Sequence, residues 1–243
     1  MDFLEFNLFF NTVMGYNGLS HLIDEGKSRK LYMLMNHMLE VNKSMNLTAI
    51  KEEKSVITRH FVDSLTIEPF LPQNAEILDV GCGAGFPSLP LGIFRPDLTI
   101  TALDSTEKRI RYVKDTARML EIPRLKTIAA RAEELAHQAP HREQYDIVTA
   151  RAVAALPILS ELCLPFTRIG GYFIAMKARR GDEELAAAKT AIKRLGGTIE
   201  KNLSIQLTAE GEQDERQLIQ IKKTTATPSD LPRAYAKIAK RPL

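Results

Sequence analysis

The sequence predicts a doubly wound α/β fold: a Rossmann-like, seven-stranded, mostly parallel sheet with a helical extension at the N-terminus. Two features lead to this prediction. From residue 76 onward, short apolar segments typical of strands alternate with segments typical of helices, and such alternation produces a parallel sheet covered on both faces. The first predicted strand runs into the glycine-rich stretch GCGAG at 81–85, where folds of this class bind their ligands.

The segment before the first strand, residues 1–70, is predicted to be helical. Apolar residues recur at helical spacing in 30–43 and 52–70, and the apolar opening residues are expected to form a further helix that packs on the body. Residues 71–223 are expected to form the α/β core and 224–243 a basic C-terminal tail, so that the chain is effectively one domain.

Seven strands are predicted in the core, and each of the first five leads into a helix. Only the polar turn TAEGEQDE joins the last two strands, which predicts an antiparallel hairpin at one edge of the sheet. The predicted strands are 76–80, 98–103, 125–129, 145–149, 171–176, 198–207 and 216–223, and the predicted helices are 87–94, 106–120, 131–138, 155–166 and 182–195.

The composition is that of a globular protein in a reducing compartment. Hydrophobic residues make up 44% and charged residues 26% of the 243 residues, and the net charge is only +3. The two cysteines, Cys82 and Cys163, are too few for a disulfide framework. No apolar segment reaches the length of a membrane span, so the expectation is a cytoplasmic protein without membrane contact.

The glycine loop matches neither of the two common phosphate-binding motifs. A P-loop requires Lys and Ser/Thr after its last glycine, but Phe86 and Pro87 follow Gly85, and no Lys or Arg occurs before Arg95. The dinucleotide motif requires a glycine where Phe86 stands. We therefore expect this loop to hold a ligand that has no pyrophosphate.

Two acidic residues near the loop favour a nucleoside with a positive charge. Asp104 ends the second predicted strand, where a carboxylate can accept hydrogen bonds from both hydroxyls of a ribose. Asp79 precedes the loop formed by Gly81, Gly83 and Gly85, and no basic residue lies near it in sequence. S-adenosylmethionine combines a ribose diol with a sulfonium cation, and it is the predicted cofactor.

The fourth strand ends in Thr149, Ala150 and Arg151, above the expected position of the transferred methyl group. The Asn/Asp-Pro-Pro-aromatic stretch of amine methyltransferases is absent here. Cytosine-C5 enzymes require a nucleophilic cysteine, whereas Cys163 lies in an apolar helical stretch and is interpreted as a packing residue. Guanine N7 has a free lone pair, so its methylation needs neither that stretch nor a nucleophilic cysteine. These absences are compatible with N7 methylation but do not distinguish it from other reactions.

Basic residues are concentrated at two places that could contact RNA. Lys177, Arg179 and Arg180 follow the fifth strand, and the C-terminal segment 222–243 carries Lys222, Lys223, Arg233, Lys237, Lys240 and Arg241. The basic residues of helix 106–120 are interpreted as a solvated surface. The histidines are scattered, and the close pair His137 and His141 has no cysteine partner, so no metal site is expected.

Taken together, the motifs resemble the RsmG (GidB) family, bacterial enzymes that methylate guanine N7 in 16S ribosomal RNA. The similarity runs from about residue 41 to the C-terminus and is carried by NLTAI (46–50), HFVDSL (60–65), LDVGCGAGFPSLPL (78–91), LDSTEKRIRYV (103–113), RAEEL (131–135), YDIVTARAVA (145–154) and PRAYAKIAKRPL (232–243).

The resemblance implies methyl transfer from S-adenosylmethionine to one guanine in the 530-loop, with 16S rRNA or the 30S subunit as partner and a monomeric enzyme. It implies that Gly81 and Phe86 border the cofactor, and that Ala132 and Glu133 line its adenine side. It also implies that Arg151 lies beside the methionine or the target, and that His60 and Asp63 are candidates for contacts in the substrate pocket. Lys177 is a further pocket candidate because it follows the fifth strand at the ligand edge.

Three alternatives stay open on these observations. An NAD-linked oxidoreductase would use the same ribose contact, although the third glycine is misplaced for it. An RNA-binding assembly factor would retain the cofactor pocket only as a structural element. A small-molecule methyltransferase would not need the basic tail.

Overall fold

The computed structural model describes residues 1–178 and 181–243. Its centre is one seven-stranded sheet with the strand order β3-β2-β1-β4-β5-β7-β6. Strands β1 to β5 are parallel, and β7 runs antiparallel between β5 and β6, so the predicted doubly wound sheet is confirmed. The strands are β1 (Glu76–Val80), β2 (Thr99–Asp104), β3 (Leu125–Ala129), β4 (Tyr145–Arg151), β5 (Thr167–Lys177), β6 (Gly197–Ala209) and β7 (Glu212–Lys223).

Helices precede the sheet and cover both of its faces. The N-terminal extension contains α1 (Phe3–Tyr16), α2 (Glu25–Met45), α3 (Glu53–Val56), a π-helical segment (Ile57–Val62) and α4 (Asp63–Leu65). The later helices are α5 (Ser88–Phe94), α6 (Glu107–Met119), α7 (Ala132–Leu135), α8 (Leu156–Cys163), α9 (Gly181–Arg194) and α10 (Tyr235–Lys240). Among the described residues, no helix has both the length and the apolar character that a membrane crossing requires.

Successive strand residues point to opposite faces of the sheet, and each face has its own hydrophobic core. On one face, Ile77 belongs to a cluster with Phe6 and Phe61 from the N-terminal helices. On the other, Leu78 belongs to a cluster with Leu159 of α8 and other residues of the later helices. The N-terminal extension therefore shares a core with the sheet, and this places its helices beside the ends of the strands.

The segment 52–70 differs from the sequence prediction. The expected continuous helix over 52–70 is interrupted by the π-helical segment, in which the N–H of Asp63 reaches back to the carbonyl oxygen of Thr58. The carbonyl oxygen of Arg59 instead accepts a hydrogen bond from Arg151 at 2.9 Å. Single π-helical turns of this kind often occur at functional sites, and this one carries His60.

The C-terminal segment packs on the core and does not extend into solvent as a tail. Leu231 and Ile238 are fully buried, and the Arg142 guanidinium donates hydrogen bonds to three carbonyl oxygens of the segment. Arg233 forms a bidentate ion pair with Glu161, whose side chain is completely buried. The segment is thus part of the fold, and the basic residues that it leaves exposed are Lys237, Lys240 and Arg241.

Candidate cofactor and substrate site

The glycine loop and the end of β4 meet at the switch point of the sheet. Strand β1 lies between β2 and β4, so the chain turns in opposite directions on its two sides, and a crevice forms at the carboxyl ends of these strands. A cavity of about 460 Å³ opens there. It is lined by Gly81, Gly83, Phe86, Asp104, Ala132, Glu133, Arg151 and His60 from the predicted set, and by Thr48, Arg109, Arg131, Val153 and Tyr235 among others.

The loop needs glycine for both its backbone conformation and its packing. Gly81, Gly83 and Gly85 have φ values of +73°, +57° and +89°, which residues with a Cβ rarely adopt. A Cβ on Gly81 would lie 2.5 Å from Cγ2 of Val153. The carbonyl oxygen of Leu103 accepts hydrogen bonds from the N–H groups of Gly81 at 2.7 Å and Cys82 at 3.0 Å. The loop is therefore tied to β2 and presents bare backbone to the cavity.

The Asp104 carboxylate is held in place by backbone donors at the cavity wall. It accepts hydrogen bonds from the N–H of Gly83 at 3.1 Å and of Thr106 at 2.8 Å. The Arg109 guanidinium lies 3.7 Å from one of its oxygens. Each carboxylate oxygen can accept more than one hydrogen bond, so Asp104 retains acceptor capacity for ribose hydroxyls. A nucleoside without phosphate fits this combination of bare loop and oriented carboxylate.

Asp79 occupies a different position from the other predicted residues. Its carboxylate is buried beneath the loop and does not line the cavity. One oxygen accepts a hydrogen bond from the Ser88 hydroxyl at 2.6 Å, while the other has no hydrogen-bond partner among the described residues. Burial raises the pKa of Asp79 to about 6.

The wall opposite the loop is built from the β3 end and the C-terminal segment. Ala132 and Glu133 follow β3, and the Glu133 carboxylate accepts a hydrogen bond from Arg131 at 3.0 Å. The Arg131 guanidinium lies 4.9 Å from the ring centre of Tyr235, a cation–π contact. Tyr235 was not predicted as a site residue, although an aromatic residue within a basic segment was a signal for it.

His60 and Phe86 form a stacked pair beside Arg151. Their ring centroids are 4.6 Å apart with an interplanar angle of 7°. His60 Nδ1 lies 3.2 Å from an Arg151 nitrogen, and Nε2 lies 2.8 Å from the Thr48 hydroxyl. Arginine can only donate, so Nδ1 is the acceptor and Nε2 carries the proton. Burial and the Arg151 charge lower the pKa of His60 to about 3, and the ring is neutral near pH 7.

Asp63 joins two arginines that come from distant strands. One carboxylate oxygen accepts a hydrogen bond from Arg151 at 2.8 Å, and the other accepts one from Arg216 at 3.0 Å. The N-terminal extension, β4 and β7 are thereby connected through one buried carboxylate. Arg216 was not predicted as a site residue. Arg216 is the first residue of a predicted antiparallel strand. Such a strand begins at the edge of the sheet where the parallel strands end, and this was a signal for Arg216.

A second cavity of about 670 Å³ adjoins the first and shares His60, Arg151 and Ala152 with it. Lys177 lines this second cavity, where its ammonium group donates a hydrogen bond to the Ala154 carbonyl and pairs with Glu184 at 2.7 Å. The predicted RNA contacts of Arg179 and Arg180 lie outside the described residues.

Neither cysteine is suited to act as a nucleophile. Cys163 is fully buried in the second hydrophobic cluster, as its sequence context predicts. Cys82 lies in the glycine loop but is 2% exposed. Burial raises the pKa of both thiols well above the usual value, so both stay protonated near neutral pH. In the described part of the chain, no group of three or more His, Cys, Asp or Glu residues could hold a metal ion.

Comparison with known proteins adds sequence and fold relationships to this geometry. "Ribosomal RNA small subunit methyltransferase G" of Acetivibrio thermocellus is 40% identical over 244 residues, covering 100% of both chains. The protein of the same name from Halalkalibacterium halodurans is 45% identical over 208 residues, covering 85% of this chain and 87% of the relative. A SAM-dependent methyltransferase from Aquifex aeolicus shares the fold, with a TM-score of 0.51, 16% identity, and coverage of 68% of this chain and 92% of that chain.

The profile of the family described as "GidB: rRNA small subunit methyltransferase G" matches residues 27–218. This match spans most of the N-terminal helix α2, the glycine loop, the end of β4 and β7 up to Leu218. With the full-length relatives at about 40% identity, it establishes the relationship. The chain belongs to the GidB family of rRNA small subunit methyltransferases G.

Proposed function

We propose that the protein transfers a methyl group from S-adenosylmethionine to N7 of a guanine in the 530-loop of 16S ribosomal RNA. The observation that supports this most directly is the first cavity, where a bare glycine loop and an oriented Asp104 carboxylate adjoin a stacked His60–Phe86 pair. The family's relatives carry the corresponding name. We place the reaction in the cytoplasm, with 16S rRNA or the 30S subunit as partner and a monomeric enzyme.

The cofactor assignment follows the positions of the cavity residues. The backbone of Gly81 and Gly83 borders the cofactor together with Phe86, and Asp104 accepts hydrogen bonds from the ribose. Ala132 and Glu133 contact the adenine side, and Arg151 lies beside the methionine part. When bound, S-adenosylmethionine supplies an electrophilic methyl group on a positively charged sulfur. Asp79 acts from beneath the loop by supporting Ser88 at the start of α5.

The protein's contribution to the reaction is orientation and charge compensation. The lone pair of guanine N7 would form the new N–C bond, and the electron pair of the broken S–C bond would remain on sulfur. N7 carries no proton, so no general base is required, and His60 has neither ring nitrogen free to act as one. Positive charge moves to the purine, and Asp63 compensates the Arg151 charge that would otherwise repel it.

Phosphate contacts are assigned to exposed basic residues around the first cavity. Lys237, Lys240 and Arg241 are exposed near Tyr235, which itself lines the cavity. Arg109 and Arg131 also lie on its rim. Charges of this sign at the mouth of a base-binding site attract the RNA backbone and position it.

The test is transfer of labelled methyl from S-adenosylmethionine to 30S subunits from cells that lack the enzyme. Digested rRNA is resolved by mass spectrometry, and the expected product is 7-methylguanosine. Gly81→Arg should abolish the product, because any side chain there meets Val153. Gly18→Arg is the matched control, since Gly18 has a similar φ of +70° but a Cβ added there would meet no atom within 4 Å. Cofactor binding without transfer to subunits or naked rRNA would contradict the proposal.

A further inference from the structure

The second cavity has a balanced set of charges. Among its described lining residues, four side chains are cationic and four are anionic: Arg59, Arg151, Lys177 and Arg216, and Asp63, Glu184, Asp214 and Glu215. A phosphate site would carry an excess of cations. The described lining offers both donors and acceptors, which suits a ligand that forms hydrogen bonds on more than one edge.

The size and position of this cavity suit a nucleobase. Its volume of about 670 Å³ is within the usual range of roughly 300–1,000 Å³ for small-molecule sites. Ile50, Met176 and Leu218 give it apolar surface that can contact the faces of a flat ring. It meets the proposed cofactor cavity at His60 and Arg151. A base taken out of its stack and held in this cavity would therefore lie directly beside the proposed cofactor site.

All four carboxylates in this cavity contact other side chains, but they differ in how they are held. Both oxygens of Asp63 accept from arginines, Asp214 pairs with Arg59 and Arg216, and Glu215 accepts from Ser204 at 3.5 Å. Among the described contacts of these four carboxylates, Glu184 is the one that a backbone N–H, that of Leu156, holds in place.

Glu184 is fixed through only one of its oxygens. Oε2 accepts hydrogen bonds from the Leu156 N–H and the Lys177 ammonium group, both at 2.7 Å. Oε1 has no hydrogen-bond partner among residues 1–178 and 181–243. The side chain is 24% exposed, so the carboxylate is both accessible and oriented.

We propose that the second cavity receives the target guanine and that Glu184 accepts hydrogen bonds from its N1–H and N2 amino groups. This inference rests on the proposed function. N1 and N2 lie on the Watson–Crick edge, opposite N7, so this contact turns N7 toward the wall shared with the cofactor cavity. Adenine has an acceptor at N1 and no N2 amino group, so Glu184 also excludes it from the site.

The experiment combines a substitution in the protein with the removal of one amino group from the substrate. Reconstituted 30S subunits carry either guanosine or inosine, which lacks the N2 amino group, at the target position. Methylation is measured for the unaltered enzyme, Glu184→Ala, Glu184→Gln and the control Glu183→Ala. Glu183 is an exposed residue on the same helix, α9, and does not line the cavity.

For the unaltered enzyme and Glu183→Ala, inosine should lower kcat/KM by about 10-fold or more, the usual effect of losing a hydrogen bond to a charged group. For Glu184→Ala, guanosine and inosine substrates should react at similar rates, because the contact that distinguishes them is gone. The Glu184→Gln side chain can still accept the hydrogen bond from the Leu156 N–H, so this variant should fold even if Glu184→Ala does not. It should show a reduced preference for guanosine.

Two results would overturn the inference: no preference for guanosine in the unaltered enzyme, or an undiminished preference in folded Glu184 variants. The second result would identify Glu184 as a structural partner of Lys177 only. Failure of the unaltered enzyme to methylate guanosine-containing subunits would instead refute the proposed function itself, so the two failures are distinguishable.

Discussion

Replacing Asp63 with alanine removes the carboxylate that lies between Arg151 and Arg216. The two ion pairs have N–O distances of 2.8 Å and 3.0 Å. At an effective dielectric constant of about 20, each corresponds to an attraction of ~6 kcal/mol, most of which the desolvation of the charges offsets. The substitution leaves two guanidinium groups partly buried in the same place without their shared partner.

Removing one member of a buried ion pair typically lowers stability by about 3–5 kcal/mol. Arg151 and Arg216 have side chains that are 14% and 20% exposed, so water reaches them in part. We therefore expect Asp63→Ala to lower the free energy of unfolding by about 3 kcal/mol, the lower end of that range. For a chain of this length, that corresponds to a fall in Tm of roughly 6–12 °C.

Urea unfolding followed by circular dichroism measures this change, with linear extrapolation to zero denaturant. Asp214→Ala is the control, because Asp214 also contacts Arg216 but its side chain is 33% exposed. It should lower the free energy of unfolding by less than about 1 kcal/mol. Equal effects of the two substitutions would refute the view that the buried carboxylate connects the three elements.

Three further predictions concern the loop, the C-terminal segment and pH. Gly81→Ala should weaken S-adenosylmethionine binding by about 10-fold or more in calorimetry, because both its positive φ and the 2.5 Å approach of its Cβ to Val153 oppose a side chain. Gly83→Ala has the positive φ but its Cβ meets no atom closer than 4.0 Å, so it should weaken binding less. Arg233→Ala should lower the free energy of unfolding by about 3 kcal/mol because it leaves a fully buried carboxylate unpaired, whereas exposed Lys237→Ala should have little effect on urea unfolding. Asp79→Asn should be more stable than the unaltered protein at alkaline pH by up to about 3 kcal/mol, measured by urea unfolding across pH.

The sign of the pH prediction follows from the raised pKa of Asp79. The folded protein keeps this proton up to about pH 6, whereas the unfolded chain loses it near the ordinary aspartate value of 3.8. The contribution of the Asp79 proton to the stability of the folded protein is therefore complete below pH 3.8 and is lost as pH rises through about 6. Parallel pH profiles for Asp79→Asn and the unaltered protein would contradict the pKa assignment. Equal losses of cofactor affinity in Gly81→Ala and Gly83→Ala would contradict the prediction for the loop. Equal losses of stability in Arg233→Ala and Lys237→Ala would contradict the prediction for the C-terminal segment.

Much of the fold and of the cofactor loop could be predicted because neighbouring residues determine them. The alternation of strands and helices and the glycine spacing at 81–85 depend on local backbone preferences. The position of Asp104 follows from the same pattern, since the ends of adjacent parallel strands lie at one edge of the sheet. The structure places the loop glycines Gly81 and Gly83 and the Asp104 carboxylate around one cavity.

The substrate side of the site could be predicted only in part. His60 and Asp63 came from a resemblance to a known family, and Arg151 came from that resemblance and from its place at the end of the fourth predicted strand. No pattern in their own segments indicates that they touch. Arg151 and Asp63 are separated by 88 residues, and Arg216 and Asp63 by 153. Their contact depends on the packing of the N-terminal helices against the sheet.

The C-terminal segment could likewise be predicted only in part. Its composition predicted a basic tail that contacts RNA, yet Arg233 pairs with a glutamate 72 residues away and is held in the fold. The sheet and the loop were predictable from the order of residues, because they follow from local spacing and backbone geometry. Which charges pair, and which protons stay bound at His60 and Asp79, become visible only in the folded chain. Those outcomes depend on burial, and burial is set by contacts between residues far apart in the chain.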